Sequence, residues 1–202
     1  MSSPSITLYG TALSGHTHRV ALFLRLLQLP YRRIEAAAAV RQSADFLQLN
    51  PLGQIPVLQD GELVLADSNA ILVYLARRYA AGSGWLPDDA VGAARVQRWL
   101  SLAAGEIAFG PASARISARF YDTGVPPALT RRLADKVLGF MDASVAVQTF
   151  LAGSHPTLAD LACYAYIAHA PEGGIALDPY PNVLAWIARV QALPHFVAMP
   201  EN

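Results

Sequence analysis

The pattern of apolar residues changes character once along the chain, and that change divides it. Up to about residue 80, short β-rich runs alternate with segments of helical spacing; beyond residue 89 only helical spacing is left. The first run is SITLYG (5–10), followed by HRVALFLRLLQL (18–29) with apolar Val20, Leu22, Phe23, Leu26, Leu27 and Leu29. YRRIEAA (31–37) reads as a second strand, and RQSADFLQLN as a short helix ending before Pro51. IPVLQDGELVLAD (55–67) reads as two short strands turned at Asp60–Gly61, a hairpin dipeptide. SNAILVYLARRYA (68–80) is helical, with Ile71, Leu72, Leu75 and Tyr79 on one face. Its last turns carry Arg77 and Arg78, where cations suit the helix dipole. The predicted order is βαβαββα.

AGSGWLPDD (81–89) is a Gly/Pro/Asp-rich breaker and reads as a linker. Helices are predicted near 90–122, 126–149, 157–170 and 182–193, with Pro111 kinking the first. This gives an α/β domain over 1–80 and an all-helical bundle over 90–202. Apolar residues make up 53% of the chain, enough for a sizeable core. The net formal charge is zero, so nothing favours a nucleic-acid partner. The lone Cys163 excludes an intramolecular disulfide. The start MSSPSITLYG lacks a signal-peptide pattern, and Arg25 interrupts VALFLRLLQL, the longest apolar run. A soluble, cytoplasmic protein is expected.

Pro56 sits inside a run that otherwise reads as a strand, where a proline must occupy an edge, a bulge or a special turn. Ile–Pro bonds tolerate the cis form far better than ordinary peptides. A cis bond would leave the Ile55 N–H and C=O open at the sheet end, where an extended peptide pairs like an added strand. A bulge or kink without a ligand is the alternative. Asp67 and Ser68 precede an apolar-periodic helix, so either suits an N-cap. The same helix start offers unpaired N–H groups to an anion.

Three motifs resemble the cytosolic glutathione S-transferase family, in its theta-like, serine-type bacterial branch. NPLGQIPVLQDGELVLADSNAILVYLARRY (50–79) is similar to the family's glutathione-binding stretch. LYGTALSGHTHRVALFLRLLQLPY (8–31) is similar to its first strand, active-site loop and first helix. GSHPTLADLACYA (153–165) is similar to its C-terminal capping motif. The resemblance implies a thioredoxin-like βαβαββα domain followed by a helical domain, with glutathione as co-substrate and no metal.

It also implies roles. The cysteinyl backbone of glutathione would dock on Ile55, next to a cis Pro56. Ser68 would take the γ-glutamyl carboxylate and Asp67, where relatives often have Glu, its ammonium. Gln54 matches a polar position near that end. Arg41 and Gln42 would receive the glycyl carboxylate, by a two-point contact in the case of Arg41, whose alternative reading is a solvated arginine on a mobile loop. Thiol chemistry needs the thiolate, whose ordinary titration lies near pH 8–9, so a donor aimed at sulfur is required. Tyr9, Thr11, Ser14, His16, Thr17 and His18 are candidates. Ser14 is the choice, with an ordinary N-cap as its alternative reading and core packing as that of Tyr9.

His16 stands where related bacterial sequences often have Asn, and is assigned to the thiol, the second substrate or solvent. His16 and His18, two apart at a helix start, do not point one way, so no metal site is expected. The loop has no cysteine, and Cys163 lies in an apolar helical stretch, which argues against a protein-cysteine mixed-disulfide mechanism. The second substrate is expected between the 10–18 loop and the long helix, where Phe109, Ser113 and Ile116 are the facing candidates, with interhelical core as their alternative reading. Thr157 and Asp160 have capping-box spacing and a structural role. The expected enzyme is a homodimeric glutathione transferase acting on a small, hydrophobic electrophile. Alternatives are peroxide or disulfide reduction or isomerisation on the same fold, or a non-catalytic interaction module.

Overall fold

The computed structural model describes residues 5–200. The chain forms two compact units, one running to Ala81 and resuming at Pro194, the other spanning Gly82–Leu193.

The first unit holds β1 (Ile6–Gly10), α1 (Gly15–Leu26), β2 (Tyr31–Glu35), α2 (Ala38–Arg41), α3 (Ala44–Leu49), β3 (Val57–Asp60), β4 (Leu63–Ala66) and α4 (Ser68–Tyr79). The sheet order is β2-β1-β3-β4, with β1–β2 parallel and the other two pairs antiparallel. Side chains alternate across the sheet. Leu8 pairs with Leu58, and both are buried, as are Phe23 of α1 and Leu72 of α4. Tyr9 pairs with Val57, and Tyr9, Leu49 and Ile55 pack against the buried cluster of Ala36, Phe46 and Val57. The turn between β3 and β4 has Gly61 at φ +60°, the conformation its Asp-Gly pair favours.

α1 begins at Gly15, with Ser14 as its N-cap. At the preceding strand end, a Cβ on Gly10 would lie 2.3 Å from Thr17 Oγ1, so only glycine lets that turn come so close. The tail from Pro194 joins this unit, which corrects the expectation that 90–202 forms one domain. His18 Nε2 lies 2.9 Å from Val197 O, a contact between a side chain and a backbone carbonyl that no periodicity announces.

The second unit holds α5 (Ala90–Ala104), a π turn (Ala108–Ala112), α6 (Ser113–Arg119), α7 (Pro127–Val147), α8 (Leu158–Ala168), a 3-10 turn (Ala170–Gly173) and α9 (Pro181–Gln191). α8 is buried from Leu158 to Ile167, with α5 and α9 packed on it. The single helix expected over 90–122 is broken at Gly105 (ψ −100°) and at Gly110 (ψ −107°). The bend therefore starts before Pro111. A Cβ on Gly110 would lie 2.9 Å from Ala134 N, so α7 approaches the backbone itself at this point.

Two polar clusters brace this unit. Asp160 is fully buried and accepts from Leu151 N at 3.0 Å, Thr157 N at 2.8 Å, Thr157 Oγ1 at 3.2 Å and Trp186 Nε1 at 2.8 Å. Glu172 accepts from Arg115 Nε at 2.9 Å and lies 2.6 Å from His169 Nδ1, tying α6 to the 3-10 turn. Burial alone would raise the Glu172 pKa, but His169 and Arg115 outweigh it and hold the carboxyl below its ordinary value.

Candidate functional site

Three segments of the first unit carry the expected glutathione residues. Ser14 is half-buried at the start of α1, and its Oγ accepts from Thr17 N at 3.2 Å. A hydroxyl that accepts still has its own proton to donate.

The second segment leads into β3. The Ile55–Pro56 bond is cis. Strand pairing begins one residue beyond Pro56, with Val57 opposite Tyr9, so Ile55 stands outside the ladder. Asn50 fixes the approach, donating from Nδ2 to Gln54 O at 2.8 Å and accepting from Leu52 N at 3.2 Å. The Gln54 side chain is exposed.

The third segment is the turn from β4 into α4. Asp67 has φ +69°, a left-handed conformation costing about 1–3 kcal/mol in a residue other than glycine. Its Oδ1 accepts from Asn69 N and Ala70 N, both at 2.9 Å, so Asp67 is the N-cap. Ser68 is thereby the first helical residue, and it is 3% exposed.

α1 meets this helix start. His16 Nδ1 lies 3.2 Å from Ser68 Oγ. Arg19 donates from one terminal nitrogen to Ser68 Oγ at 3.2 Å and to Asn69 Oδ1 at 2.8 Å. Burial, then the Arg19 charge, lower the His16 pKa from 6.5 to about 3, so the imidazole is neutral across the physiological range. His16, expected among the second-substrate residues, is thus engaged at the glutathione side of the expected site.

Arg19 and Asn69 were not singled out by the sequence reading. The signal was present: Arg19 precedes Leu22 and Phe23 by three and four residues, which places a cation in the apolar stripe of α1.

Arg41 ends α2, and its Nε is buried without a hydrogen-bond partner. Gln42 follows as an exposed C-cap. Tyr9 donates to Gln59 Oε1 at 3.2 Å and packs edge-on against Phe46, which occupies it in the sheet. In the second unit, Phe109 is 53% exposed on the π turn. Ser113 is buried and donates to Ala108 O at 3.0 Å, which commits its hydroxyl to its own helix turn. Thr157 and Asp160 form a reciprocal capping box. Among the described residues, no group of three His, Cys, Asp or Glu side chains is placed to hold a metal. None of their helices is long and apolar enough to cross a membrane.

Chemically, the first unit offers a half-buried hydroxyl at one helix start and a strand end open beyond a cis proline. It also offers a second helix start with a buried cation behind it. These suit a thiolate, an extended peptide backbone and a carboxylate respectively.

The chain matches two sequence families, Glutathione S-transferase, N-terminal domain, over residues 4–77, and Glutathione S-transferase, C-terminal domain, over residues 128–194. It is 32% identical to mouse glutathione S-transferase theta-3 over 93% of this chain and 82% of that one. It is 29% identical to glutathione S-transferase GstB of Escherichia coli over 94% of both. The solved glutathione S-transferase from Pseudomonas fluorescens is 32% identical and superposes with a TM-score of 0.88, over 98% of this chain and all of that one. Taken with the thioredoxin-like first unit and the helical second, these likenesses establish that the chain belongs to the glutathione S-transferase family and is a glutathione transferase enzyme.

Proposed function

We propose that glutathione lies extended across the first unit, its cysteinyl backbone paired with Ile55. Its γ-glutamyl carboxylate meets the hydroxyl and backbone N–H of Ser68 at the start of α4, with Asp67 facing the ammonium and Gln54 alongside. The glycyl carboxylate pairs with Arg41, near Gln42, and Ser14 donates to the thiolate. The thiol proton passes to solvent, and the thiolate attacks carbon of a small hydrophobic electrophile. The sulfur–carbon bond forms as the leaving group departs with its electron pair or, in an addition, as the π pair moves on to the neighbouring atom and is protonated.

The start of α4 carries this reading. A serine hydroxyl is buried there at the first position of the helix, and a guanidinium lies behind it. Such an arrangement suits a carboxylate better than a neutral ligand. The unpartnered Arg41 Nε supports a second carboxylate, and exposed Phe109 on a π turn supports an apolar electrophile. We read the assembly as a homodimer and its compartment as the cytoplasm, in keeping with a lone, buried cysteine.

Calorimetric titration with glutathione of the wild type and Ser68→Ala tests the binding half. The Ser14→Ala variant assayed with an aryl halide tests the chemical half. Wild-type binding weakened by Ser68→Ala, and turnover lost in Ser14→Ala, are expected. Turnover independent of Ser14 would overturn its role.

A further inference from the structure

Arg19 stands behind Ser68 at the start of α4. A fully buried arginine is rare and costly unless its donors are used. Here one terminal nitrogen donates to both Ser68 Oγ and Asn69 Oδ1, the first two residues of α4. The contact joins α1 to α4 at the residues proposed to meet a carboxylate.

Two consequences follow from donor chemistry. A guanidinium only donates, so it occupies one lone pair of Ser68 Oγ and turns the hydroxyl proton away from itself. His16 Nδ1, 3.2 Å from Ser68 Oγ, is the acceptor for that proton in the tautomer that carries the imidazole hydrogen on Nε2. A carboxylate at the helix start is the better acceptor and takes the proton from His16. The Asn69 contact meanwhile holds the first turn of α4, and the fixed positive charge adds to that of the helix N-terminus.

We propose that Arg19 is a positioning residue for the γ-glutamyl α-carboxylate: it aims the Ser68 hydroxyl and anchors the first turn of α4 without itself needing to touch the ligand. The inference rests on the glutathione reading above and sharpens it, because it makes that one carboxylate the feature Arg19 serves. His16 is then the internal acceptor that the carboxylate displaces.

The test compares two ligands by calorimetry. One is glutathione; the other is 4-aminobutyryl-cysteinyl-glycine, the same peptide with that carboxylate replaced by hydrogen. The proteins are wild type, Arg19→Met and Arg19→Lys, each checked for folding by thermal denaturation. Arg19→Met is expected to weaken glutathione roughly tenfold, the size of one charge-assisted hydrogen bond, and to change analogue affinity by less than about twofold. Arg19→Lys keeps the charge but not the fork, and should fall between, with the same selectivity. Equal losses for both ligands would make Arg19 a general structural residue and overturn the inference alone. So would wild-type affinity in Arg19→Met. If that variant does not fold, Arg19→Lys decides by the same comparison. Failure of the wild type to bind glutathione would overturn the underlying reading and the inference with it.

Discussion

The Ser14 hydroxyl accepts a hydrogen bond from the Thr17 backbone N–H at 3.2 Å, so one oxygen both caps α1 and is proposed to serve the thiolate. The two duties separate by substitution. Ser14→Ala should cost about 0.5–2 kcal/mol as a lost N-cap. It should also lower kcat by about 10²–10³, the size expected for a lost anion-stabilising donor. Ser14→Asp keeps an N-cap acceptor but sets a negative charge where sulfur must become negative. That variant should retain stability and lose turnover, as denaturation and a steady-state assay would report. An active Ser14→Asp enzyme would end the thiolate role.

Asp67 combines a left-handed backbone with two hydrogen bonds to the first turn of α4. Asp67→Asn preserves the acceptor and tolerates the positive φ, so stability should be nearly unchanged. It removes the charge proposed to face the γ-glutamyl ammonium, and glutathione Kd should rise by roughly fivefold to tenfold. Asp67→Ala loses cap and charge together and should lose about 1–2 kcal/mol of stability besides. Denaturation and calorimetry on the two variants distinguish these effects, and equal affinity in Asp67→Asn would remove the ammonium contact.

Local chemistry made much of the fold legible. A proline inside a strand pattern marked the end of the β3 ladder, Asp60–Gly61 marked the hairpin, and Thr157 with Asp160 marked the start of α8. Each is a short-range rule written in adjacent residues. What stayed hidden depends on distant partners. The break at Gly110 reflects the approach of α7 at Ala134, and the return of the tail reflects Val197 O beside His18. Arg19 belongs to the same group: it shares a helix stripe with apolar Leu22 and Phe23, and its partners lie 49 and 50 residues away.

His16 links the site to pH. Burial and the Arg19 charge hold its pKa at about 3, against 6.5 in the unfolded chain. Below about pH 6.5 the unfolded chain therefore takes up a proton that the folded chain refuses. Stability is lost as pH falls from about 6.5 towards 3, and His16 contributes no such loss above that window. His16→Asn cannot titrate, so the urea midpoint should fall less between pH 7 and pH 4.5 than in the wild type. Parallel declines in the two proteins would show that His16 is not held neutral.

Asp160 lies in the second unit and is predicted to govern folding rather than chemistry. Its carboxylate serves four donors from Leu151, Thr157 and Trp186, joining the start of α8 to α9 and to the chain before it. Asp160→Ala leaves all four buried and unpaired, which should cost about 3–5 kcal/mol. Thr157→Ala removes a hydroxyl whose main acceptor duty is to Ala159 N at 3.3 Å, so about 1 kcal/mol is expected. The ordering Asp160→Ala well below Thr157→Ala well below wild type should appear in denaturation midpoints. Turnover per folded molecule should stay near the wild-type value in both, because neither residue belongs to the unit proposed to bind glutathione. A folded, stable Asp160→Ala protein with reduced kcat would assign this carboxylate to catalysis instead.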